Sequence, residues 1–251
     1  MTTTNPTLET LRNHVSVRDL VPGNLTADQI HQLVTFAQAA PTASFQQSYS
    51  IIGVTDATLR QQIARHAGGQ HFVAEGGTLF VFCADLSRAR RLAHDRGINI
   101  DPTLDGIDAT LAGTVDATLA AQNMAVAAES LGLGTCYSGG IRDGIVEIAQ
   151  LLDIPADVFP VLGLVIGQPR HRNALKPRLP FAAVYHENHY HNDAAKEQAV
   201  QEYDALTNRY YAQRPGHPTD RSWSQTAIAS FRQHPRAFTR DFLHRNGLAK
   251  H

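Results

Sequence analysis

The chain has 251 residues, 43% of them apolar, and a formal charge of −1 at pH 7, a globular composition long enough for one large domain or two small ones. The near-neutral balance excludes a sequence-independent nucleic-acid binder, whose phosphate contacts need a basic excess. No apolar run is long enough to read as a membrane span, MTTTNPTLETLRNH lacks the regions of a secretory signal, and Cys83 and Cys136 are too few for a disulfide framework; the expected compartment is the cytoplasm.

The first patterned stretch is HVSVRD, residues 14–19. If it is extended, His14, Ser16 and Arg18 share one side and Val15 and Val17 the other. Thr26 and Gln29 form a capping box ahead of a helix carrying Ile30, Leu33, Val34 and Ala37 at helical spacing, ended by Pro41. YSIIGV (49–54) reads as a strand, Asp56 caps a helix that Gly68-Gly69 stops, and TLFVFCA (78–84) is a strand apolar on both faces, hence central. A polar segment ends in a loop around INIDPTLDG (98–106). An alanine-rich helix is expected from Asp108 to Leu131, ended by Gly132 and Gly134. TCYS (135–138) is strand-like, Ile141–Leu152 can be helical, and VLGLVIG (161–167) is another apolar strand. Beyond it, Val200, Tyr203, Thr207 and Tyr210 predict one more helix, and QRPGHPTDRSW an exposed loop. Strands and helices alternate without a strict βαβ rhythm, which predicts an α+β fold.

Several stretches invite chemistry. GLGTCYSGG (132–140) is not a dinucleotide fingerprint: the third glycine would fall at Tyr137, and the segment follows a helix instead of a strand. Gly139-Gly140 can leave backbone N–H groups open to a flat ligand or form an ordinary turn. HENHYH (186–191) places three histidines within six residues, but a metal site wants a carboxylate or further ligands at defined spacing in a closed geometry, so the histidines read as solvated and no metal is expected. Neither cysteine context lowers a thiol pKa, and no GxSxG elbow offers a serine nucleophile. In LKPRLP (175–180), Lys176 and Arg178 flank a proline that favours an extended path. They are either two solvated cations or, with His14, Ser16 and Arg18, a clamp for a phosphate dianion.

The ordered set HVSVR, AAPTASFQQSYSII, GGQHFVAE, VFCADL, AAQNMAVAAESLGLGTCYSGG and LGLVIGQP…LKPRLP resembles the nitroreductase family, specifically its NADPH-dependent, FMN-containing oxygen-insensitive nitroreductases and flavin reductases. The likeness runs from His14 nearly to the end of the chain. It implies a single nitroreductase-like domain over residues 1–251 with a central mixed β-sheet flanked by helices, in an intertwined homodimer whose residues from about 180 to 251 wrap on the partner. FMN is implied in the subunit interface. His14, Ser16, Lys176 and Arg178 match its phosphate contacts, Val15 contributes a backbone N–H, Arg18 and Gln70 match contacts to the pyrimidine, and Tyr137, Ser138, Gly139 and Gly140 match the loop near N5. Thr42 and Ser44 match a hydroxyl-rich turn beside the ring, and Phe45 a wall of the substrate pocket. For NADPH the matching cations are Arg214, Arg221 (displaced from the usual position) and Arg236. The implied activity is ping-pong transfer of hydride from NADPH through flavin N5 to nitroaromatics, quinones or free flavin, with no side-chain acid or base; small molecules and a second copy of the chain are the implied partners.

The sequence departs from the family at three places: Val15 stands where an arginine is common, Thr42 and Ala43 thin a serine run, and Ser138 replaces an aliphatic residue. NADH use, a specialised reductive reaction on the same fold, and a non-catalytic FMN-binding storage or sensing module remain as alternatives.

Overall fold

The computed structural model describes residues 5–191, 194–215, 218–233 and 236–251. Its backbone contacts divide into two compact units, Met1–Asn173 with Arg236–His251, and Ala174–Pro235. Among the described residues no helix is long and apolar enough to cross a membrane.

In the first unit the order is α1 (Pro6–Arg12), α2 (Ala27–Gln38), β1 (Tyr49–Val54), α3 (Ala57–His66), α4 (His71–Glu75), β2 (Thr78–Asp85), α5 (Ser87–His94), α6 (Asp101–Leu104), α7 (Ile107–Ser130), β3 (Gly134–Ser138), α8 (Ile145–Leu151) and β4 (Val158–Gly167). The four strands form one sheet in the order β1-β2-β4-β3. Every pairing among these strands is antiparallel. The parallel part of the expected mixed sheet is confined to an isolated bridge between Ser16 and Thr135.

Side chains on β2 alternate between two cores. Phe80, Phe82 and Ala84 face one with Ala117, Ala120, Ala121, Met124 and Ala125 of α7. Leu79, Val81 and Cys83 face the other with Ile63, Ala64, Val73 and Ile148. All eight β2 residues are buried, as the two-sided apolar pattern of TLFVFCA requires. The small residues of α7 bring its backbone close: a Cβ on Gly113 would lie 3.1 Å from Ala84 Cβ and 3.3 Å from Ser48 O. Turned away from the sheet, Ile107, Leu111, Val115 and Leu119 are spaced four apart and exposed, a continuous apolar stripe on one helix face.

The capping box at Thr26 and Gln29 forms as expected, and Asp56 caps α3. Other expectations are corrected. Gly132 (φ +81°) ends α7, whereas Gly134 opens β3; its Cβ would meet Val17 Cβ at 2.9 Å, so it is a close approach of two chains and not a stop signal. The predicted helix at 141–152 starts only after Gly144, behind a 3-10 turn at Gly139–Arg142. The loop expected around 98–106 contains the short helix α6, and the polar segment before it forms α5.

The second unit, by itself, contains α9 (Phe181–Val184), α10 (Ala194–Ala212) and α11 (Trp223–Gln233). The buried positions of α10 are Ala199, Tyr203, Thr207 and Tyr211, repeating every four residues. Of the predicted loop at 213–223, residues 216–217 lie outside the described set, and the last residue begins α11. The chain then returns to the first unit with α12 (Phe238–Arg245).

Candidate functional site

The HVSVR segment is extended, as its alternation predicts. Val17 is fully buried and Val15 nearly so, and the Val17 N–H donates to Thr135 O at 2.8 Å, laying the segment along β3. His14 and Ser16 are half-buried on the opposite side, and Arg18 is exposed. His14 Nδ1 meets Glu129 Oε1 at 2.7 Å, and the same carboxylate oxygen accepts from Thr135 Oγ1 at 2.6 Å. Glu129 therefore fixes the imidazole edge and leaves Nε2 directed elsewhere. The Arg18 guanidinium lies 5.7 Å from the Phe72 ring centre, tying this segment to α4.

Gln70 is the residue before α4, but its side chain makes no cap bond. The amide turns instead to Ser138, whose hydroxyl is fully buried and donates to Gln70 Oε1 at 2.5 Å. Gly140 completes the contact. A Cβ there would stand 2.4 Å from Ala67 O and 3.3 Å from Gln70 Cδ, so only glycine lets the turn approach. Arg236, 96 residues further on, donates from Nη2 to Gly139 O at 3.3 Å and from Nε to Asp143 Oδ1 at 2.7 Å. Thus Gln70, Ser138, Gly139, Gly140 and Arg236 occupy one place. Tyr137 points back into the core: its hydroxyl donates to Gln122 Oε1 at 3.2 Å, and burial, helped by the Glu129 charge, raises its pKa. A buried Arg60 holds this region from behind, donating to the carbonyls of Val73, Gly76 and Gly77. It satisfies carbonyls around the end of α4 that have no other partner of that helix, and its burial lowers its pKa.

Thr42, Ser44 and Phe45 lie in a turn before β1. Ser44, Phe45 and Gln47 all have positive φ (+47°, +57° and +53°), a conformation disfavoured for residues with a Cβ. Asp116, fully buried on α7, accepts from Ala43 N at 2.9 Å and Ser48 N at 3.0 Å, one bond on each side of the turn. Thr42 Oγ1 accepts from Gln47 N at 3.3 Å, and Arg88 Nη2 donates to Gln47 O at 2.7 Å. The result is a rigid turn carrying a Phe45 ring that is 82% exposed.

In the second unit, Tyr203 OH donates to Pro177 O at 2.8 Å, fastening the segment with both predicted cations to α10. Lys176 Nζ stands 5.0 Å from the Tyr211 ring centre, and Arg221 Cζ stands 5.7 Å from the same ring. The cations assigned separately to phosphate and to NADPH thus share one aromatic platform. Arg178 folds back, Nη1 to Lys176 O at 2.8 Å. Arg214 is half-buried, and its N–H donates to Tyr211 O at 3.3 Å. In the HENHYH stretch, His186 stacks on Tyr190 at 4.5 Å and its Nδ1 accepts from the His191 N–H.

In the first unit, the half-buried Gln70 amide beside the Gly140 turn suits the carbonyl-bearing edge of a flat group such as FMN. Among the described residues no salt bridge involves Arg18 in the first unit, nor Lys176 or Arg178 in the second, so each unit by itself carries cationic charge available to an anion. The turn at Gly140 has no room for a side chain, and the Gln70 amide adjoins it.

Both thiols are buried. Burial, with the Asp85 charge adding, pushes Cys83 up to about 12, and burial raises Cys136 despite the nearby Arg18. Since the thiolate is the reactive form, iodoacetamide at pH 8 is expected to leave the native chain unmodified within an hour. Both cysteines should be alkylated after unfolding in guanidinium; adducts on the native chain by mass spectrometry would contradict the burial of these groups.

Residues 11–168 match the nitroreductase family, and residues 176–251 match the nitroreductase family, C-terminal domain. An FMN reductase (NADPH) of Bacillus subtilis (strain 168) is 41% identical over 247 residues, covering 98% of this chain and 99% of that one. The structure of the NfrA1 nitroreductase of B. subtilis superimposes with a TM-score of 0.95 at 40% identity, covering 98% of this chain and all of the other (100%). An NADPH:FMN oxidoreductase from Vibrio harveyi complexed with NAD+ gives a TM-score of 0.88 at 32% identity, with 98% of this chain and 100% of that chain covered.

Proposed function

The chain belongs to the nitroreductase family, and from that premise we infer that it is an NADPH-dependent FMN oxidoreductase. The observation that carries this reading is the turn at 139–140, where Gly140 packs against Ala67 O and Gln70 Cδ and leaves the Gln70 amide half-buried beside it, a polar group within reach of a flat ligand's edge. In the proposed enzyme His14, Ser16, Lys176 and Arg178 would hold the phosphate, with the Val15 N–H contributing, and Arg18 and Gln70 would meet the polar edge of the ring. FMN, when bound, supplies the atom that accepts hydride and the electrons that leave. The chain's part is to orient, to supply charge and to admit flat molecules in turn. Thr42, Ser44 and Phe45 border the entry, and Arg214, Arg221 and Arg236 attract the reductant. The relatives' printed names include an FMN reductase (NADPH) and a Cr(VI) reductase, in keeping with a site that selects acceptors weakly. Nitroaromatics, quinones and free flavin are the proposed acceptors, taken in ping-pong order.

The working unit we propose is a cytoplasmic homodimer, with residues from about 180 onward wrapping the partner and each FMN touched by both chains. Its support is the outward stripe Ile107, Leu111, Val115 and Leu119 on α7. Four apolar residues in a continuous row are costly to leave in water. Replacing Val115 with glutamate places a charge mid-stripe, where it would be desolvated without a partner. The expected result is at least a hundredfold weaker association, about 2.7 kcal/mol, read as a halved mass by light scattering at micromolar concentration. An unchanged mass would remove this face from the interface.

The enzyme itself is tested by an anaerobic absorbance scan before and after NADPH, repeated with NADH. Yellow protein bleached rapidly by NADPH supports the assignment. Yellow protein bleached by neither nucleotide would leave a flavin-binding module, and protein that stays colourless after incubation with FMN would overturn the reading.

A further inference from the structure

We propose that Ser138 is a positioning residue that fixes which end of the Gln70 amide meets the cofactor, and thereby the reduction potential of the bound flavin. The inference rests on the FMN reading above. A serine hydroxyl has one hydrogen to give, and an amide has an oxygen that only accepts and a nitrogen that only donates. Which amide end faces where is decided by hydrogen-bond partners. Ser138 is fully buried, and among the described residues its hydroxyl bonds only to Gln70 Oε1, at 2.5 Å. Were the amide reversed, Gln70 Nε2 would donate to Oγ and the hydroxyl hydrogen would be left buried without an acceptor, an arrangement native proteins avoid. The oxygen is therefore held inward.

Gln70 is only half-buried, and its side chain makes no bond to its own helix. Its Nε2 has no acceptor among the described residues, so two N–H groups are free for a ligand oxygen. Gly140 leaves the amide room to lie there, since Gln70 Cδ passes 3.3 Å from where a Cβ on residue 140 would be. If these N–H groups met a ring carbonyl oxygen of bound FMN, they would favour the electron-rich, reduced ring over the oxidised one. An aliphatic residue at 138, the usual type in the family, offers no hydroxyl and leaves the amide free to present either end. This chain's serine thus commits Gln70 to the donor role and raises the potential.

The test is the midpoint potential of bound FMN, measured by anaerobic dye equilibration, in Ser138→Ala, in Gln70→Ala and in the double variant. Ser138→Ala is expected to weaken binding of reduced relative to oxidised FMN about tenfold, a drop of about 30 mV for a two-electron couple. In the Gln70→Ala background the same serine change is expected to have no further effect, because Ser138 acts through the amide. Ser138→Cys, which keeps a weak donor of similar size, should fall between wild type and alanine and guards against an unstable alanine variant. A potential that stays put in both Ser138 variants would overturn the proposal. So would an equal drop with and without Gln70, which would make Ser138 act directly. A wild-type chain that holds no FMN would overturn both this proposal and the reading beneath it, and would be seen in the spectrum before any potential is taken.

Discussion

Replacing Lys176 and Arg178 together with alanine is expected to give a folded chain that purifies without FMN. Each charge-assisted hydrogen bond is worth about 1.5–3 kcal/mol. Both side chains are exposed in the single chain, so the lower end applies, and the pair together contributes about 3 kcal/mol. That corresponds to FMN binding weakened by more than a hundredfold, measurable by quenching of flavin fluorescence. The single variants should each cost about tenfold, and the wild-type affinity should fall with added salt while the double variant's falls less. Fold stability should hardly change, because neither cation forms an ion pair with a described carboxylate and Tyr203 grips the segment through the Pro177 carbonyl. FMN affinity within threefold of wild type would dismiss these residues as the phosphate clamp.

Asp116→Ala is expected to be strongly destabilising, since the Asp116 carboxylate is fully buried and holds two backbone donors. Its carboxylate accepts from Ala43 N and Ser48 N, and both donors would lose their acceptor. A buried donor left unsatisfied costs about 1–3 kcal/mol. The turn also contains Ser44, Phe45 and Gln47 in the left-handed region, at about 1–3 kcal/mol of local strain each. With Asp116 gone, the Thr42 and Arg88 bonds to Gln47 remain but the anchors on either side of the turn do not, so part of the loss is recovered by its relaxation. The expected net destabilisation is about 2–4 kcal/mol by urea unfolding. Relaxation also moves Phe45, so KM for a nitroaromatic acceptor should rise while FMN affinity is retained. Asp116→Asn should not rescue, because one of its two polar ends would face an N–H with another N–H. A stability loss under 1 kcal/mol would show that the turn is held by other contacts, among which Arg88 to Gln47 O is the foremost.

What could be read from the chain beforehand follows from how local each signal is. The Thr26 capping box, the two-sided apolar strand at 78–84 and the 14–18 alternation are each complete within a few residues, and each is found in the structure. The short helices α5, α6 and α12 were not legible, because they are four to eight residues long and carry too few turns for a periodicity to show. The antiparallel order of the strands was equally hidden, for helices intervene between consecutive strands and the central pair, β2 and β4, lies about 80 residues apart in the chain. The residues brought together around Gln70, Ser138, Gly139 and Gly140 were named from family resemblance, not from spacing. Arg60, Asp116 and Glu129 were missed altogether. Each sits at an ordinary helical position, and its significance lies in partners from elsewhere: carbonyls after α4, amides before β1, and an imidazole at residue 14. A charged residue on the apolar side of a helix wheel is the only clue the sequence offered, and in Asp116, amid the alanines of α7, it was present.

The sheet order has a further consequence during synthesis. β2 pairs on one edge with β1, about 30 residues earlier, and on the other with β4 (Val158–Gly167). Until the ribosome has released the chain through Gly167, the most apolar strand of the protein has an open edge of unpaired amides and carbonyls. Such an edge invites pairing with neighbouring nascent chains. Closing it demands a contact across roughly 80 residues, a slow step for antiparallel sheets of high contact order. High-level expression should therefore yield more soluble protein at low temperature or with added chaperones, and a chain stopped just before β4 should be found in inclusion bodies.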